Sequence, residues 1–293
     1  MVIADIAADA AARLNLIQGR DRKWRGRCPV CGYTKPTLEI ALEDGRIAIS
    51  CVACGAVGAI AAAAGIPQEL LVARRVQSSN VTGALRAWRK ASPAIGTLVE
   101  NYLHNRGITS PVPASIRFLP RQSNWSDGGT YPTMLSLVQR VPGEDDGALP
   151  GGVPLVDTGA HFTFLEGGPA APVRKASIAH SKLTLGQLRY GGVWLTPFDE
   201  ISKQLAVAEG IETALSVMQI TKLPAVAALS AAGMRSLRWP AQVKRLWIAA
   251  DNDEAGLRAA RRLLGRALGA GLQAQIKVPA GGKNDFNDLL RAK

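Results

Sequence analysis

In the last third of the chain, short apolar runs alternate with stretches of helical periodicity. Gln204–Ala208, Ala225–Leu229, Arg245–Ala250 and Gln273–Val278 each read as a strand of five or six residues. Glu212–Ile220 and Glu254–Leu268 between them read as helices, and Asp285–Arg291 as a closing helix. Strands and helices in alternation predict an open, mostly parallel sheet. Ligands of such sheets bind beyond the carboxyl ends of the strands, and Glu209 and Asp251 stand at those ends.

Upstream the pattern is more broken. Ile3–Ile17 predicts a short helix with an apolar face at Ile3, Ile6, Ala10, Leu14 and Ile17. Thr37–Leu42 and Arg46–Cys51 predict two strands joined by the turn Glu43-Asp44-Gly45. Gly58–Gly65 reads as helix, Gln77–Thr82 as a polar linker, and Gly83–Arg106 as helix carrying Arg86, Arg89 and Lys90. Residues 143–152 and 167–169 read as loops, and 95–200 as a mixed segment with short strands. The predicted organisation is a β-rich module over 1–76, a helical connection over 77–94, a basic α+β segment over 95–200, and the α/β domain over 201–293.

A chain of 293 residues accommodates two domains or three small ones. With 47% hydrophobic and 20% charged residues it has an ordinary globular composition. The net charge of +12 changes the picture, because such an excess favours a polyanionic partner, nucleic acid above all. The competing explanation is a basic host proteome or a solubility effect. No apolar run is long enough to span a membrane, and Met1–Leu16 lacks the pattern of a secretory signal. The expected location is a bacterial cytoplasm, with no membrane partner.

The four cysteines form two pairs, Cys28-Pro-Val-Cys31-Gly and Cys51-Val-Ala-Cys54-Gly, with 19 residues between Cys31 and Cys51. In a chain without an export signal, this spacing points to a metal site rather than disulfides. Two intervening residues let a tight turn aim both sulfurs at one ion, and four thiolates close a tetrahedral shell. The expectation is one structural zinc on Cys28, Cys31, Cys51 and Cys54, with the predicted hairpin between the knuckles as in a zinc ribbon. Unliganded cysteines and an iron–sulfur cluster are the alternatives. Trp24, Arg25 and Arg27 beside the first knuckle fit either a stacking contact with a nucleic-acid strand or a basic face over a buried Trp.

Three acidic clusters follow the apolar runs of the C-terminal region: Glu209-Gly210-Ile-Glu212, Asp251-Asn-Asp253-Glu254-Ala-Gly256, and Asp285-Phe-Asn-Asp288. One acid in such a place is ordinarily a helix cap or a surface charge. Three clusters in succession, each after an apolar strand or at a turn, place repelling carboxylates together, and such a group suits a hard divalent cation, magnesium with manganese as a substitute.

The segments EGIETALS, ADNDEAG and KNDFNDLL together resemble the Toprim domain of primases, topoisomerases, and OLD- and RecR-like proteins, with wording similar to the Toprim primases of phages and plasmids. The resemblance covers about residues 200–293, and the cysteine ribbon, about 20–60, is similar to the zinc module of those primases. The segment Lys182–Leu195 resembles their basic stretch ahead of Toprim.

The resemblance implies a catalytic base or acid at Glu209 and magnesium ligands at Asp251, Asp253 and Asp285. Asn284 departs from the family pattern and leaves the register at Asp285 open. It further implies nucleotide or DNA contacts at Lys175, Lys182 and Arg189. The activity implied is primer synthesis from ribonucleoside triphosphates on single-stranded DNA. No G-x-x-x-x-G-K-[ST] motif occurs, so a replicative helicase is expected as a separate partner. The alternatives are a Toprim nuclease and a RecR-like, non-catalytic recombination mediator. A topoisomerase is disfavoured, because the chain is short for a strand-passage gate.

Overall fold

The computed structural model describes residues 3–19, 22–30, 36–43, 45–51, 57–72, 78–143, 154–168 and 170–292. The chain divides into two units, Met1–Val76 and Gln77–Lys293.

In the first unit, helix α1 (Ile3–Arg13) is followed by strands β1 (Ile17–Gln18), β2 (Lys23–Gly26), β3 (Leu38–Glu43) and β4 (Arg46–Cys51), helix α2 (Val57–Ala64) and strand β5 (Leu71–Val72). The strands form one sheet in the order β1-β2-β3-β4-β5. The expected hairpin is present, with β3 and β4 antiparallel from Leu38↔Cys51 to Glu43↔Arg46. Gly45, at φ 71°, supplies the left-handed backbone of its reversal. Ile40, Ile47, Ile49 and Ile60 are fully buried, with α1 and α2 packed on β3 and β4. The first helix is shorter than its periodicity predicts. Asn15 takes φ 52°, and Ile17 passes into β1, where it is 78% exposed. The buried face of α1 is Ala7, Ala10 and Ala11.

The second unit opens with α3 (Ser78–Lys90), β6 (Ser92–Pro93) and α4 (Leu98–Asn105). The continuous helix expected over Gly83–Arg106 is thus two helices, because Pro93 lacks the N–H a helix requires. Helix α3 also takes in most of the segment read as a linker. Next come β7 (Ile116–Ser123), β8 (Thr130–Arg140), β9 (Val156–Gly168), β10 (Ala171–Lys175), β11 (Lys182–Gly186) and β12 (Gly191–Trp194). Here the expectation of short strands fails, since β8 has 11 residues and β9 has 13. Both are internal: β8 pairs with β7 and β9, and β9 pairs with β8, β10 and β11. The expected loop at 143–152 lies largely outside the described residues.

The C-terminal elements are β13 (Gln204–Ala208), α5 (Ile211–Thr221), β14 (Ala225–Ala227), α6 (Ala231–Ser236), β15 (Arg245–Ala249), α7 (Glu254–Gly269), β16 (Gln273–Lys277) and α8 (Phe286–Arg291). Strands β14, β13, β15 and β16 are parallel neighbours in that order, as the alternation predicts. β12 joins them antiparallel to β14 and also pairs with β8, so that one mixed sheet runs through the unit. Both faces of the parallel part are covered. Ala206 and Ala208 of β13 face a core shared with Tyr102, Ile211, Leu215 and Phe286. Leu205 and Val207 face the opposite core, with Met234, Ile248 and Leu263. This strict alternation on two covered faces explains why the strands read as unbroken apolar runs. Among the described residues, no helix is long and apolar enough to cross a membrane.

Candidate active site at the strand ends

In the register of the parallel pair, Ala208 of β13 lies opposite Ala249 of β15. Glu209 is therefore the first residue beyond its strand, and Asp251 the second beyond its own. The peptide N–H of Asn252 donates to the Asn284 carbonyl at 2.7 Å, which brings the loop before α8 alongside the loop after β15. The four carboxylates Glu209, Asp251, Asp253 and Asp285 consequently share one locality.

Their electrostatics report the crowding. Burial pushes the Asp251 carboxyl up to about 7, and the charges of Glu209, Asp285 and Asp253 add to the shift. Burial also raises Glu209, with Asp253 contributing. Asp253 and Asp285 each cap a helix. Asp253 Oδ1 accepts from Gly256 N at 2.6 Å, and Asp285 Oδ1 accepts from Asp288 N at 2.8 Å. The cap and the metal-ligand readings are compatible, because a cap uses one oxygen and leaves the other. Asp251 is different: its Oδ1 is buried with no hydrogen-bond partner. A buried anionic oxygen left unsatisfied is costly unless a cation completes it. Among the described residues no three acidic, His or Cys side chains converge into a ready-made cage. Carboxylate oxygens are hard donors of the kind magnesium takes, an ion that keeps several waters and shares substrate phosphates.

The glycines of these motifs act differently from one another. Gly256 packs so closely that a β-carbon there would lie 2.8 Å from the Asp251 carbonyl oxygen, so glycine is needed to start α7 against the acidic loop. Gly210 has φ −88° and ψ 153°, a conformation open to any residue, so the bend after Glu209 does not itself demand glycine.

A cationic group adjoins the acids. Lys182 Nζ lies 3.3 Å from Glu212 Oε2, and Lys175 Nζ lies 3.8 Å from Glu212 Oε1. Lys182 is also close enough to act electrostatically on Glu209 and Asp251.

Residues 204–293 match the family model of the Toprim domain. The C-terminal region is a Toprim domain. Residues 78–195 match a second family, described as a domain of unknown function (DUF7146). Curated protein sequences contain no match to the chain. Among solved structures, a DNA primase domain from Pseudomonas aeruginosa is 15% identical, with a TM-score of 0.44, over 73% of this chain and 75% of that one. The Aquifex aeolicus primase (zinc-binding and RNA polymerase domains) is 14% identical, also at TM-score 0.44, over 99% and 82%. The primase fragment of the bacteriophage T7 primase-helicase protein is 17% identical at TM-score 0.33, over 55% and 62%.

The strand ends of the Toprim domain thus gather the four acids singled out in the sequence, and Lys175 and Lys182 meet beside them on Glu212. Arg189 belongs to another cluster. Its guanidinium lies 4.5 Å from the centre of the Tyr190 ring, against which Arg238 also packs at 3.9 Å. Of the four cysteines, Cys28 and Cys51 are buried, and Cys51 Sγ lies 3.4 Å from Thr37 Oγ1. Cys31 and Cys54 lie outside the described residues. Trp24 is 7% exposed, which places its ring in the core of the first unit rather than on a stacking surface.

Sequence reasoning missed Tyr102 and underused Glu212. Tyr102 donates its hydroxyl to Glu212 Oε1 at 2.6 Å across 110 positions of sequence. An acid inside an otherwise apolar helical run, Ile211-Glu212-Thr213-Ala214-Leu215, was a signal for Glu212. Nothing in the sequence marks Tyr102.

Proposed function

We propose that the protein is a DNA primase that synthesises short RNA primers on single-stranded DNA from ribonucleoside triphosphates. The observation carrying this reading is the orphaned, buried Asp251 oxygen amid Glu209, Asp253 and Asp285 at the strand ends of a Toprim domain. The donor set fits magnesium, or manganese in its place. Asp251, Asp253 and Asp285 would hold it, and the ion would supply charge neutralisation to the phosphate oxygens.

The chain's own groups do the rest. Glu209, its proton affinity raised by burial and by Asp253, takes the proton from the primer 3′-hydroxyl as that oxygen attacks the α-phosphate. A new P–O bond forms, the bond to pyrophosphate breaks, and pyrophosphate leaves. Lys175 and Lys182 meet the triphosphate, and Arg189 meets template or nucleotide phosphate. In the first unit, Cys28, Cys31, Cys51 and Cys54 bind one structural zinc, and the ribbon around it contacts the template. The net charge of +12 suits the polyanionic template. A helicase acts as a separate partner, in the bacterial cytoplasm.

The test is incorporation of labelled ribonucleotides on circular single-stranded DNA with magnesium. Short RNA products support the reading. Cleavage of the template without synthesis would indicate a Toprim nuclease instead, and DNA binding without either activity a RecR-like mediator.

A further inference from the structure

Glu212 is a carboxylate that the proposed chemistry does not use, yet three other elements converge on it. It lies in the first turn of α5 and its side chain is 5% exposed. Oε1 accepts the Tyr102 hydroxyl from α4 and faces Lys175 at the end of β10, while Oε2 faces Lys182 at the start of β11. Tyr102 is itself 1% exposed, so the anchor is fixed on both sides by packed structure. The lysines are not sealed in. Their side chains keep 34% and 37% exposure, and each ammonium has three donors, more than Glu212 can take.

The charges do not balance. One lysine would neutralise Glu212, and the second leaves a positive charge in a partly desolvated place. His161 on β9 is buried nearby and bonded to Thr184 through Nδ1 at 2.8 Å. Burial and the Lys182 charge hold it neutral, at about 3. Burial lowers Lys175 as well. A fold seeking stability alone gains little from such a group, since a buried ion pair is often no better than apolar packing. The surplus cation instead lies beside the acids, where Lys182 acts on both Glu209 and Asp251. Cationic and acidic groups side by side fit a polyphosphate accompanied by a divalent cation.

We propose that Glu212, held by Tyr102, is a positioning residue that fixes the Lys175 and Lys182 ammonium groups as a paired triphosphate contact. The identity of the ligand as a nucleotide rests on the primase reading; the anchoring of the lysines does not.

The test compares wild type, Glu212→Gln, Tyr102→Phe, Lys175→Met/Lys182→Met, and that double variant carrying Glu212→Gln. In primer synthesis, Glu212→Gln should raise the KM for ribonucleotides about tenfold, the scale of one lost charge-assisted bond, and by more than kcat falls. Tyr102→Phe should shift KM in the same direction by less, and it carries the test should Glu212→Gln not fold. In the background lacking both lysines, Glu212→Gln should add nothing to KM. A KM unchanged in both Glu212→Gln and Tyr102→Phe, or an additive loss in that background, would overturn the proposal. A second readout needs no synthesis: acylation of Lys175 and Lys182 by an acetyl N-hydroxysuccinimide ester, followed by mass spectrometry. Wild type should be protected at both lysines by magnesium ATP, and Glu212→Gln should lose most of that protection. Equal protection in the two proteins would overturn the anchor. If wild type makes no primers, the primase reading falls alone, and the acylation comparison still decides the role of Glu212.

Discussion

The peptide N–H of Asn252 donates to the carbonyl of Asn284 at 2.7 Å, and a second contact runs from Asn252 Nδ2 to the Lys283 carbonyl at 3.4 Å. These bonds tie the loop bearing Asp251 and Asp253 to the loop bearing Asp285. The polar Asn284, which departs from the family pattern, contributes its backbone carbonyl to that tie. That acceptor is a backbone carbonyl, which any residue at 284 would supply, so the tie does not depend on the asparagine side chain.

Asp285→Asn follows from that relationship. Asp285 raises the proton affinity of Asp251, so its neutralisation should lower the midpoint at which Asp251 protonates. It should also move the magnesium optimum of synthesis to higher concentration, because one anionic ligand is gone. Carboxyl-carbon NMR across pH reads the first effect, and a magnesium titration the second. An Asp251 midpoint that stays put would mean that the two loops are not coupled.

Asp251→Asn should stabilise the metal-free protein in a pH-dependent way. The folded-state value of Asp251, about 7, lies above its ordinary 3.8. Its stabilising contribution is complete below the unfolded value and is lost as pH rises through 7. At pH 8 without metal, wild type holds an ionised Asp251 against three neighbouring acids, and the asparagine variant does not. The variant should melt higher by about 3 °C or more at pH 8, and by less at pH 5. Magnesium should raise the wild-type Tm more at pH 8 than at pH 6, because proton and metal compete for the same oxygens. Calorimetry with and without chelator checks both.

The first unit should hold close to one zinc, measurable by plasma emission. Cys51 closes the buried end of the β3–β4 hairpin opposite Leu38, so Cys51→Ser should release the metal and lower the melting of residues 1–76. A unit of this size gains only a modest margin of stability from its apolar core, and metal binding adds directly to its folding free energy. A folded, zinc-free wild type would overturn the assignment.

Single-stranded DNA binding should weaken steeply with salt. Arg86, Arg89 and Lys90 are exposed on α3. If each meets a phosphate, replacing all three by alanine should reduce the log–log salt slope by about 2. Anisotropy titrations at several salt concentrations measure it, and an unchanged slope would move the template elsewhere.

The C-terminal strands were legible because each is covered on both faces, so Leu205-Ala-Val-Ala reads as one apolar run whichever side is considered. The acids at their ends were legible for the same reason, since a charge after such a run has only a strand end to occupy. The middle was less so. β9 mixes Thr158, His161 and Thr163 with Phe162 and Phe164, all buried, because α3 packs on the phenylalanine side while His161 faces the buried Glu212 and its lysines. Helix α6 was missed outright. Its six residues are too few to show a period, and its start depends on Ser230 capping Gly233 N at 3.0 Å. Tyr102 was invisible because its partner is 110 positions away and only the tertiary fold brings its hydroxyl to Glu212.

Glu209→Gln should abolish primer synthesis while leaving fold and DNA binding close to wild type. The change keeps size and most hydrogen bonding but removes the charge and the proton acceptor. Glu209 sits just past β13 with its proton affinity raised by burial and by Asp253, the direction that makes a carboxylate a better proton acceptor. Loss of a group acting in the transition state costs roughly a hundredfold or more in rate. If Glu209 were only one more magnesium ligand, raising the magnesium concentration would restore part of the rate. If it is the base, added metal should not, while raising the pH should recover a little by ionising the attacking hydroxyl. Ribonucleotide incorporation by Glu209→Gln across magnesium concentration and pH separates the two, and full activity in that variant would remove Glu209 from the chemistry.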